Sequence, residues 1–282
     1  MSTNKRSGTR PSAVIRALSY LFARKVFQGW NRRLLKLALY LNGYDQFGAV
    51  ATTGEGYFVQ LLSRFGVRTC VDVGANFGEY SRLLLDNTSA DVIAFEPLPQ
   101  AFRVLREVEA KFPGRYTPIN MGVGDRSGQL DLYFGPGNLE LASFSQEVNN
   151  IGYVARRNVD SISASVTTLD DYFFSGDTSS IGSIDLIKID TEGYEYEVLV
   201  GASKTLARFK PKFVQVEFNW HQLFKGQSMY SISGLLPGYK LYQMLPYNAG
   251  MVERDPKSPE ASIYHFSNFV FVRFDVAKLL PG

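Results

Sequence analysis

The amino-acid sequence predicts an α/β protein built on a mainly parallel sheet. Short segments rich in β-branched residues alternate with helix-length segments, which is the pattern of right-handed βαβ units. A glycine-rich turn stands between the first strand and its helix. The last two strand-like segments have no helical pattern between them. We therefore expect a mainly parallel seven-stranded sheet with an antiparallel C-terminal strand pair, preceded by a helical N-terminal extension.

The predicted elements follow one another along the chain in a regular order. Five strands should be parallel and two antiparallel, at residues 67–73, 91–96, 115–121, 183–189, 212–218, 239–245 and 263–274. The helices between the parallel strands are expected at residues 76–85, 99–111 and 192–208. This order places the carboxyl ends of the parallel strands at one edge of the sheet, where such folds bind their ligands.

Residues 129–172 interrupt this alternation between the third and fourth strands. They hold short strand-like pieces and a stretch at 135–152 that is rich in glycine and asparagine. We interpret the segment as a substrate-side insertion with a flexible loop.

Residues 1–56 are predicted to form a basic helical extension, and 57–282 the main domain. Apolar residues recur at spacings of three and four over 12–41, which indicates two helices with a break near Gln28 and Gly29. Residues 1–44 hold nine of the 30 Lys and Arg residues and none of the 27 Asp and Glu residues. The basic face can point to solvent, or it can contact an anionic membrane surface or an acidic partner.

Composition excludes several classes of protein. The net charge is only +3, so the whole chain carries no nucleic-acid signature. Cys70 is the only cysteine and lies in an apolar run, which predicts a buried core residue in a reducing compartment. No apolar stretch approaches the length of a membrane span, about 20 residues. We expect a cytoplasmic protein, with peripheral membrane contact as an open alternative.

The segment DVGANFG at residues 72–78 predicts a nucleotide site where the first strand turns into a helix. In a dinucleotide fingerprint, the second glycine lets the backbone approach a pyrophosphate. Asn76 stands where that glycine would be, so a pyrophosphate is disfavoured. S-adenosylmethionine has no phosphate, and its amino-acid end can meet Asp72 and the backbone around Gly74. The motif therefore favours S-adenosylmethionine over NAD(P).

Glu96 closes the second predicted strand, and a carboxylate there can accept hydrogen bonds from both ribose hydroxyls. Both cofactors contain ribose, so Glu96 alone does not separate them. An NAD(P)-dependent oxidoreductase remains an alternative at this point, as does a membrane-associated binding module without turnover.

With these motifs in place, the chain resembles the FkbM family of methyltransferases, within the class I, Rossmann-like fold. The resemblance runs from about residue 65 to 220 and rests on DVGANFGEYS, VIAFEPLPQAF, INMGVGDRSGQLDLY, VTTLDDYF, IDLIKIDTEGYEYEVLVGA and VQVEFN. It implies S-adenosylmethionine as cofactor and usually O-methylation of a hydroxyl on a saccharide, glycolipid or small metabolite. By position, it implies cofactor contacts for Asp72, Gly74, Ala75, Asn76, Gly78, Glu96 and Asp125, with Glu96 at the ribose and Asp125 near the adenine.

The catalytic candidates follow the fourth and fifth parallel strands. A sugar hydroxyl is a weak nucleophile, so methyl transfer to it needs a base or a metal ion. We assign catalysis to Asp190, Glu217 and His221. Glu192 is also a candidate, although an acid at a helix N-terminus is favourable in any case. These four side chains offer an oxygen-rich alternative site for a divalent metal, but we assign no metal. Lys188, in a central strand, should reach an acidic partner.

Overall fold

A computed structural model of the chain describes residues 12–46, 50–175 and 181–281. The chain divides into two compact units, Met1–Asn42 and Gly43–Gly282, which are considered separately below. The second unit begins before residue 57, where the sequence predicts the main domain to start. Residues 44 and 45 already make contacts within this unit: the Asp45 amide donates a hydrogen bond to the Phe266 carbonyl at 2.8 Å, and the Tyr44 side chain is buried.

The first unit contains two helices with a break between them, as predicted. Helix α1 (Ala13–Phe22) is capped by the Ser12 hydroxyl, which accepts a hydrogen bond from the Ile15 amide. Arg24 then adopts an extended conformation before a 3-10 turn, and α2 (Gln28–Leu41) follows. Gln28 and Gly29 themselves lie in the first turn of α2, so the break lies just before the residues near which it was predicted.

The second unit is organised around a large mixed sheet. Its strands, together with those of a smaller sheet, are β1 (Thr69–Val73), β2 (Asp91–Phe95), β3 (Tyr116–Ile119), β4 (Gly122–Val123), β5 (Gly128–Gly135), β6 (Asn138–Ser143), β7 (Asp160–Thr167), β8 (Leu186–Ile189), β9 (Phe213–Phe218), β10 (Tyr239–Met244), β11 (Met251–Arg254) and β12 (Ser267–Arg273). The helices are α3 (Val50–Thr53), α4 (Glu55–Arg64), α5 (Glu79–Asn87), α6 (Pro99–Lys111), α7 (Gln146–Asn149), α8 (Gly152–Ala155), α9 (Leu169–Phe174), α10 (Glu195–Val200), α11 (Ser203–Phe209), α12 (Trp220–Phe224), α13 (Met229–Ser233) and α14 (Phe274–Ala277).

Within the described residues, the main sheet has eight strands in the order β11-β10-β12-β9-β8-β1-β2-β3. The five strands from β9 to β3 are mutually parallel, and β12, β10 and β11 are antiparallel to their neighbours, so the α/β class is confirmed. The predicted count of seven strands is one too low. The additional strand, β11, is a four-residue edge strand with two charged side chains, a composition that protects sheet edges but gives little strand signal.

The insertion forms a second sheet with the order β4-β7-β5-β6. The loop predicted at 135–152 is wrong in part, because β6 and α7 lie within it. One of its asparagines fixes the local backbone: the Asn149 side chain donates a hydrogen bond to the Ser145 carbonyl at 2.8 Å and accepts one from the Asn158 side-chain amide at 2.9 Å. An asparagine that satisfies buried polar groups stabilises a defined conformation, so a high asparagine content does not by itself indicate a flexible loop.

The helix predicted over 192–208 is two helices, α10 and α11, separated at Gly201 and Ala202. A Cβ atom on Gly201 would lie 2.0 Å from the Gly124 carbonyl oxygen. The chain bends at this glycine because it passes close to the loop after β4.

One face of the main sheet packs against α4, α5 and α6. Phe58, Leu62, Leu84, Leu105 and Phe213 are all fully buried in this core, and each such side chain stabilises the fold by about 1.5–3 kcal/mol. Cys70 is buried in the same core, as predicted. No helix among the described residues has the length and apolar character needed to cross a membrane.

Candidate functional site

The turn after β1 brings the backbone close to the loop after β8. Gly74 has φ +81°, and a Cβ atom there would lie 1.8 Å from the Asp190 carbonyl oxygen, so only glycine fits. Asn76 has φ +48°, a conformation that asparagine tolerates better than most side chains. Gly78 also has a positive φ, but its Cβ would meet Leu105 on α6, so this glycine serves helix packing. The turn is shaped by two close approaches of the chain.

Glu96 follows β2 and faces this turn. Its Oε2 atom accepts a hydrogen bond from the Asn76 amide at 2.8 Å, and Oε1 accepts one from the Leu98 amide at 2.8 Å. The side chain is 6% exposed, and burial raises the pKa of Glu96 to about 7. Each carboxylate oxygen keeps a lone pair for a ligand. The carboxyl group is therefore fixed in position at the edge of the sheet, with its charge sensitive to pH near neutrality.

Lys188 on β8 lies between the buried carboxylate of Asp72 and the partly exposed carboxylate of Asp190. Its Nζ atom is 2.9 Å from Asp190 Oδ2 and 3.8 Å from Asp72 Oδ1, so the acidic partner expected for this lysine is present. Burial opposes the charge on the lysine, but Asp190 and Asp72 raise the pKa of Lys188 above its usual value. Asp72 is fully buried and also accepts a hydrogen bond from the Ser81 hydroxyl at 2.6 Å. The lysine thus balances the negative charge beneath the glycine turn.

Three carboxylates converge at the ends of β8 and β9. Asp190, Glu192 and Glu217 each place an oxygen atom within 4.8 Å of the others. Burial and the charges of Asp190 and Glu192 raise the pKa of Glu217 well above its usual value. Burial also opposes ionisation of Asp190, but Lys188 holds the pKa of Asp190 below its usual value. Ionisation is therefore favoured at Asp190 relative to Glu217. The same three oxygen donors suit a hard divalent cation.

The loop that carries Glu192 is held in an unusual conformation. Glu192 has φ +51° and Gly193 has φ +95°. The buried Glu195 carboxylate accepts hydrogen bonds from the Thr191 amide at 2.9 Å and the Gly193 amide at 3.1 Å. A positive φ at a residue other than glycine costs free energy, and such positions cluster at functional sites. This backbone turns the Glu192 side chain into the cavity described below.

His221 on α12 lies behind Glu192. It is 2% exposed, its Nδ1 atom is 3.1 Å from Glu192 Oε2, and its Nε2 atom is 3.1 Å from the Tyr153 hydroxyl. The Trp220 indole also donates to that hydroxyl. Burial raises the pKa of Glu192, and His221 opposes the increase. His221 therefore reaches the cavity through Glu192.

The glycine turn, Glu96 and the three clustered carboxylates line one cavity of about 580 Å³ at the carboxyl edge of the main sheet. Leu132, Leu139 and Ala142 of the second sheet, with Phe144 just after β6, form an apolar wall, so the insertion does lie beside the site. The described residues that line the cavity include no lysine or arginine. They include six acids, Glu79, Glu96, Glu140, Asp190, Glu192 and Glu217.

The residues predicted from sequence lie in the wall of a cavity, in the interior outside that wall, or at the surface. Gly74, Asn76, Glu96, Asp190 and Glu217 line the cavity, and Ala75 lines a smaller adjoining cavity. Asp72, Gly78 and His221 are not among the lining residues; Asp72 and His221 lie buried behind them.

Asp125 is exposed and does not line the cavity; Gly122 and Val123, just before it, do. The sequence alone gives too little weight to Glu192, because an acidic residue at the start of a predicted helix is favourable whether or not it has a function. The unusual TEG turn at residues 191–193 was the signal that could have identified it. Glu79 and Glu140 carried no such signal.

Comparison with known proteins identifies the family of the chain. The sequence profile of the methyltransferase FkbM domain matches residues 72–245. The chain is 29% identical over 185 residues to the 2-O-methyltransferase NoeI of Sinorhizobium fredii, covering 62% of this chain and 74% of that protein. It is 30% identical over 148 residues to the hexuronic acid methyltransferase AglP of Haloferax volcanii, covering 52% of this chain and 54% of that protein.

Among solved structures, an O-methyltransferase from Bacillus cereus in complex with S-adenosylhomocysteine aligns with 93% of this chain and 98% of its own. The sequence identity is 12% and the TM-score 0.41, a superposition too loose to support further inference. The family match, by contrast, spans more than half of the chain and confirms the resemblance seen in the motifs. It gives no support to the oxidoreductase alternative. The chain belongs to the FkbM family of methyltransferases.

Proposed function

We propose that the protein uses S-adenosylmethionine to methylate a hydroxyl group of a neutral saccharide. The observation that carries this proposal is the charge of the cavity, which has six acids and no lysine or arginine among its described lining residues. Negative charge favours a cationic ligand such as the sulfonium of S-adenosylmethionine. The same charge opposes the pyrophosphate of NAD(P), which needs amide donors or basic side chains. The cavity therefore discriminates between the two cofactors by electrostatics.

The residues around the glycine turn fit the donor. Gly74 leaves the backbone accessible, Asn76 fixes the turn, and each oxygen of Glu96 can accept a hydrogen bond from a ribose hydroxyl. When bound, S-adenosylmethionine supplies an electrophilic methyl group. This chain's contribution is to hold the donor and the acceptor hydroxyl in line and to exclude water.

The acceptor class follows from the other half of the cavity. NoeI is described as a 2-O-methyltransferase and AglP acts on hexuronic acid. In this chain, the carboxylates of Asp190 and Glu192 would repel the carboxylate of a uronic acid. The apolar wall that includes Phe144 can pack against the face of a sugar ring. A neutral saccharide therefore suits this cavity better than a uronic acid.

Among the three clustered carboxylates, Glu192 is the best proton acceptor. Burial and the charges of Asp190 and Glu192 oppose ionisation of Glu217, and Lys188 makes the Asp190 carboxylate a weak base. The raised pKa of Glu192 brings it nearer to the value at which a general base works best. As the acceptor oxygen bonds to the methyl carbon and the carbon–sulfur bond breaks, Glu192 takes the hydroxyl proton. His221 positions this carboxylate, and Asp190 and Glu217 orient the hydroxyl.

Two measurements test the proposal. Isothermal titration should show that S-adenosylmethionine and S-adenosylhomocysteine bind, while NAD and NADP do not. Release of S-adenosylhomocysteine should then be followed with neutral saccharides, uronic acids and glycolipids as acceptors. We expect turnover with neutral saccharides and little with uronic acids. Binding of NAD without binding of S-adenosylmethionine would overturn the cofactor assignment, and a preference for uronic acids would overturn the acceptor class.

The charge of Glu96 predicts a pH dependence of donor binding. Below a pKa of about 7 the carboxyl group is protonated and one acceptor position for the ribose is lost. If the donor binds the ionised form, affinity for S-adenosylhomocysteine should weaken by about tenfold from pH 8 to pH 6. Titration calorimetry at a series of pH values measures this change.

Glu96→Gln should bind weakly at both pH values and lose most of the pH dependence. Glu107→Gln, an exposed acid on α6, serves as the control and should behave like the unaltered protein. A Glu96→Gln variant that keeps the full tenfold dependence would assign the titration to another group, such as the carboxylates at 190–217.

A further inference from the structure

The second helix of the N-terminal unit has two chemically distinct faces. At 3.6 residues per turn, Trp30, Leu34, Leu37 and Leu41 form one stripe along α2, and they are 49–64% exposed. Arg32 and Lys36 lie on the other side of the helix, and Arg33 flanks the stripe. Large apolar side chains aligned and exposed in this way mark a surface that binds something.

The first helix repeats the pattern. Val14, Leu18 and Leu21 form an apolar stripe along α1 and are 49–67% exposed. Arg16 and Ser19 lie on the other side of this helix. The Asn31 side chain donates a hydrogen bond to the Phe22 carbonyl at 3.0 Å, and the Phe22 and Phe27 rings are in contact. The turn between the helices is therefore defined, while both apolar stripes are left exposed.

The charge of the segment selects its binding partner. Residues 1–44 contain no acid, and the described basic residues are Arg16, Arg24, Lys25, Arg32, Arg33 and Lys36. A second protein surface would need a matching acidic and apolar face. Nucleic acid would satisfy the positive charge but leave Trp30 and the leucines in water. An anionic lipid bilayer satisfies both, because headgroups attract the basic side chains and the acyl region accepts the apolar stripe.

We propose that residues 12–42 dock the protein on an anionic membrane surface. The two helices lie in the plane of the headgroups, with Trp30, Leu34, Leu37 and Leu41 inserted and Arg32, Arg33 and Lys36 at the level of the lipid phosphates. Tryptophan suits this depth because its ring is apolar and its N–H group is polar. This interaction is independent of the proposed methyl transfer.

The full chain should float with vesicles of 70% phosphatidylcholine and 30% phosphatidylserine, and much less with phosphatidylcholine alone. Added salt should weaken binding by screening. Arg32→Gln/Arg33→Gln/Lys36→Gln, which keeps good helix formers, should weaken binding to the anionic vesicles by about 100-fold, because each basic residue contributes roughly fivefold.

Leu34→Ser/Leu37→Ser should weaken binding at least tenfold, whereas Leu279→Ser, at a leucine elsewhere that is 70% exposed, should leave it unchanged. The chain has two tryptophans, so the Trp220→Phe variant reports on Trp30 alone. Its fluorescence should shift to shorter wavelength on anionic vesicles and be quenched by brominated lipid.

Three results would overturn the proposal. They are equal or absent binding to both kinds of vesicle, a dimer in solution that the two Leu→Ser changes dissociate, and tight binding to duplex DNA without vesicle binding. Methyl transfer to a free saccharide, measured without lipid, separates failure of this proposal from failure of the proposed function.

Discussion

Replacement of Glu192 with glutamine is expected to lower kcat by about 10²- to 10⁴-fold, the contribution typical of a general base. Glutamine keeps the shape of the side chain but cannot accept the hydroxyl proton at neutral pH. Gly193 and the Glu195 carboxylate, which hold the backbone of this turn, are unchanged. Affinity for S-adenosylhomocysteine should therefore stay within a factor of about three. Single-turnover kinetics with an accepted saccharide and calorimetry of donor binding measure the two quantities.

The other candidates give a graded comparison. His221→Asn should lower kcat less than Glu192→Gln and should shift the pH profile, because His221 acts on Glu192 from 3.1 Å away. Glu107→Gln, the matched control on the surface of α6, should have unchanged kinetics.

If Glu192→Gln keeps full turnover while His221→Asn abolishes it, the histidine is the base. If a chelator abolishes turnover of the unaltered protein and magnesium restores it, the carboxylates act as metal ligands.

Much of this site could be predicted from sequence because its backbone is constrained by local chemistry. Gly74 and Asn76 mark a turn that few other residues can adopt, and Glu96 and Asp190 stand where buried strands end. Each of these positions has a local signature, so its place at the carboxyl edge of the sheet followed from the fold class.

The surroundings of the remaining residues could not be predicted from the sequence, because they depend on contacts between segments that are distant in the chain. His221 is buried because Tyr153, from the insertion, covers it. Glu140 reaches the cavity only because β6 pairs with β5, and Asn138–Ser143 gave no strand pattern of its own. Asp125 resembled a ligand by its position in the motif, but it turns to solvent. No local pattern records which distant segment will cover a given side chain.

Lys188 carries the largest expected effect on stability. Lys188→Met removes the cation 2.9 Å from Asp190 and 3.8 Å from Asp72 and leaves two carboxylates without it. Removing one partner of a buried ion pair typically costs about 3–5 kcal/mol. For a unit of this size, that corresponds to a decrease in Tm of roughly 6–20 °C. Urea unfolding followed by fluorescence measures the loss, and Lys204→Met, an exposed lysine on α11, should change stability by less than about 0.5 kcal/mol.

The pH dependence of this loss distinguishes charge from packing. Burial already raises the pKa of Asp72 while Lys188 opposes that increase, so removal of the lysine should raise the pKa further. An acid whose pKa is higher in the folded than in the unfolded state stabilises the fold at low pH, and that contribution is lost as the pH rises through the folded pKa. The destabilisation by Lys188→Met should therefore be larger at pH 8 than at pH 5. Adding Asp72→Asn to Lys188→Met should recover part of the lost stability at pH 8, because the neutral amide needs no cation beside it. A loss that is equal at both pH values and unaffected by Asp72→Asn would mean that Lys188 stabilises the fold mainly through another contact, such as that of its ammonium group with the Tyr80 ring, whose centroid is 4.9 Å away.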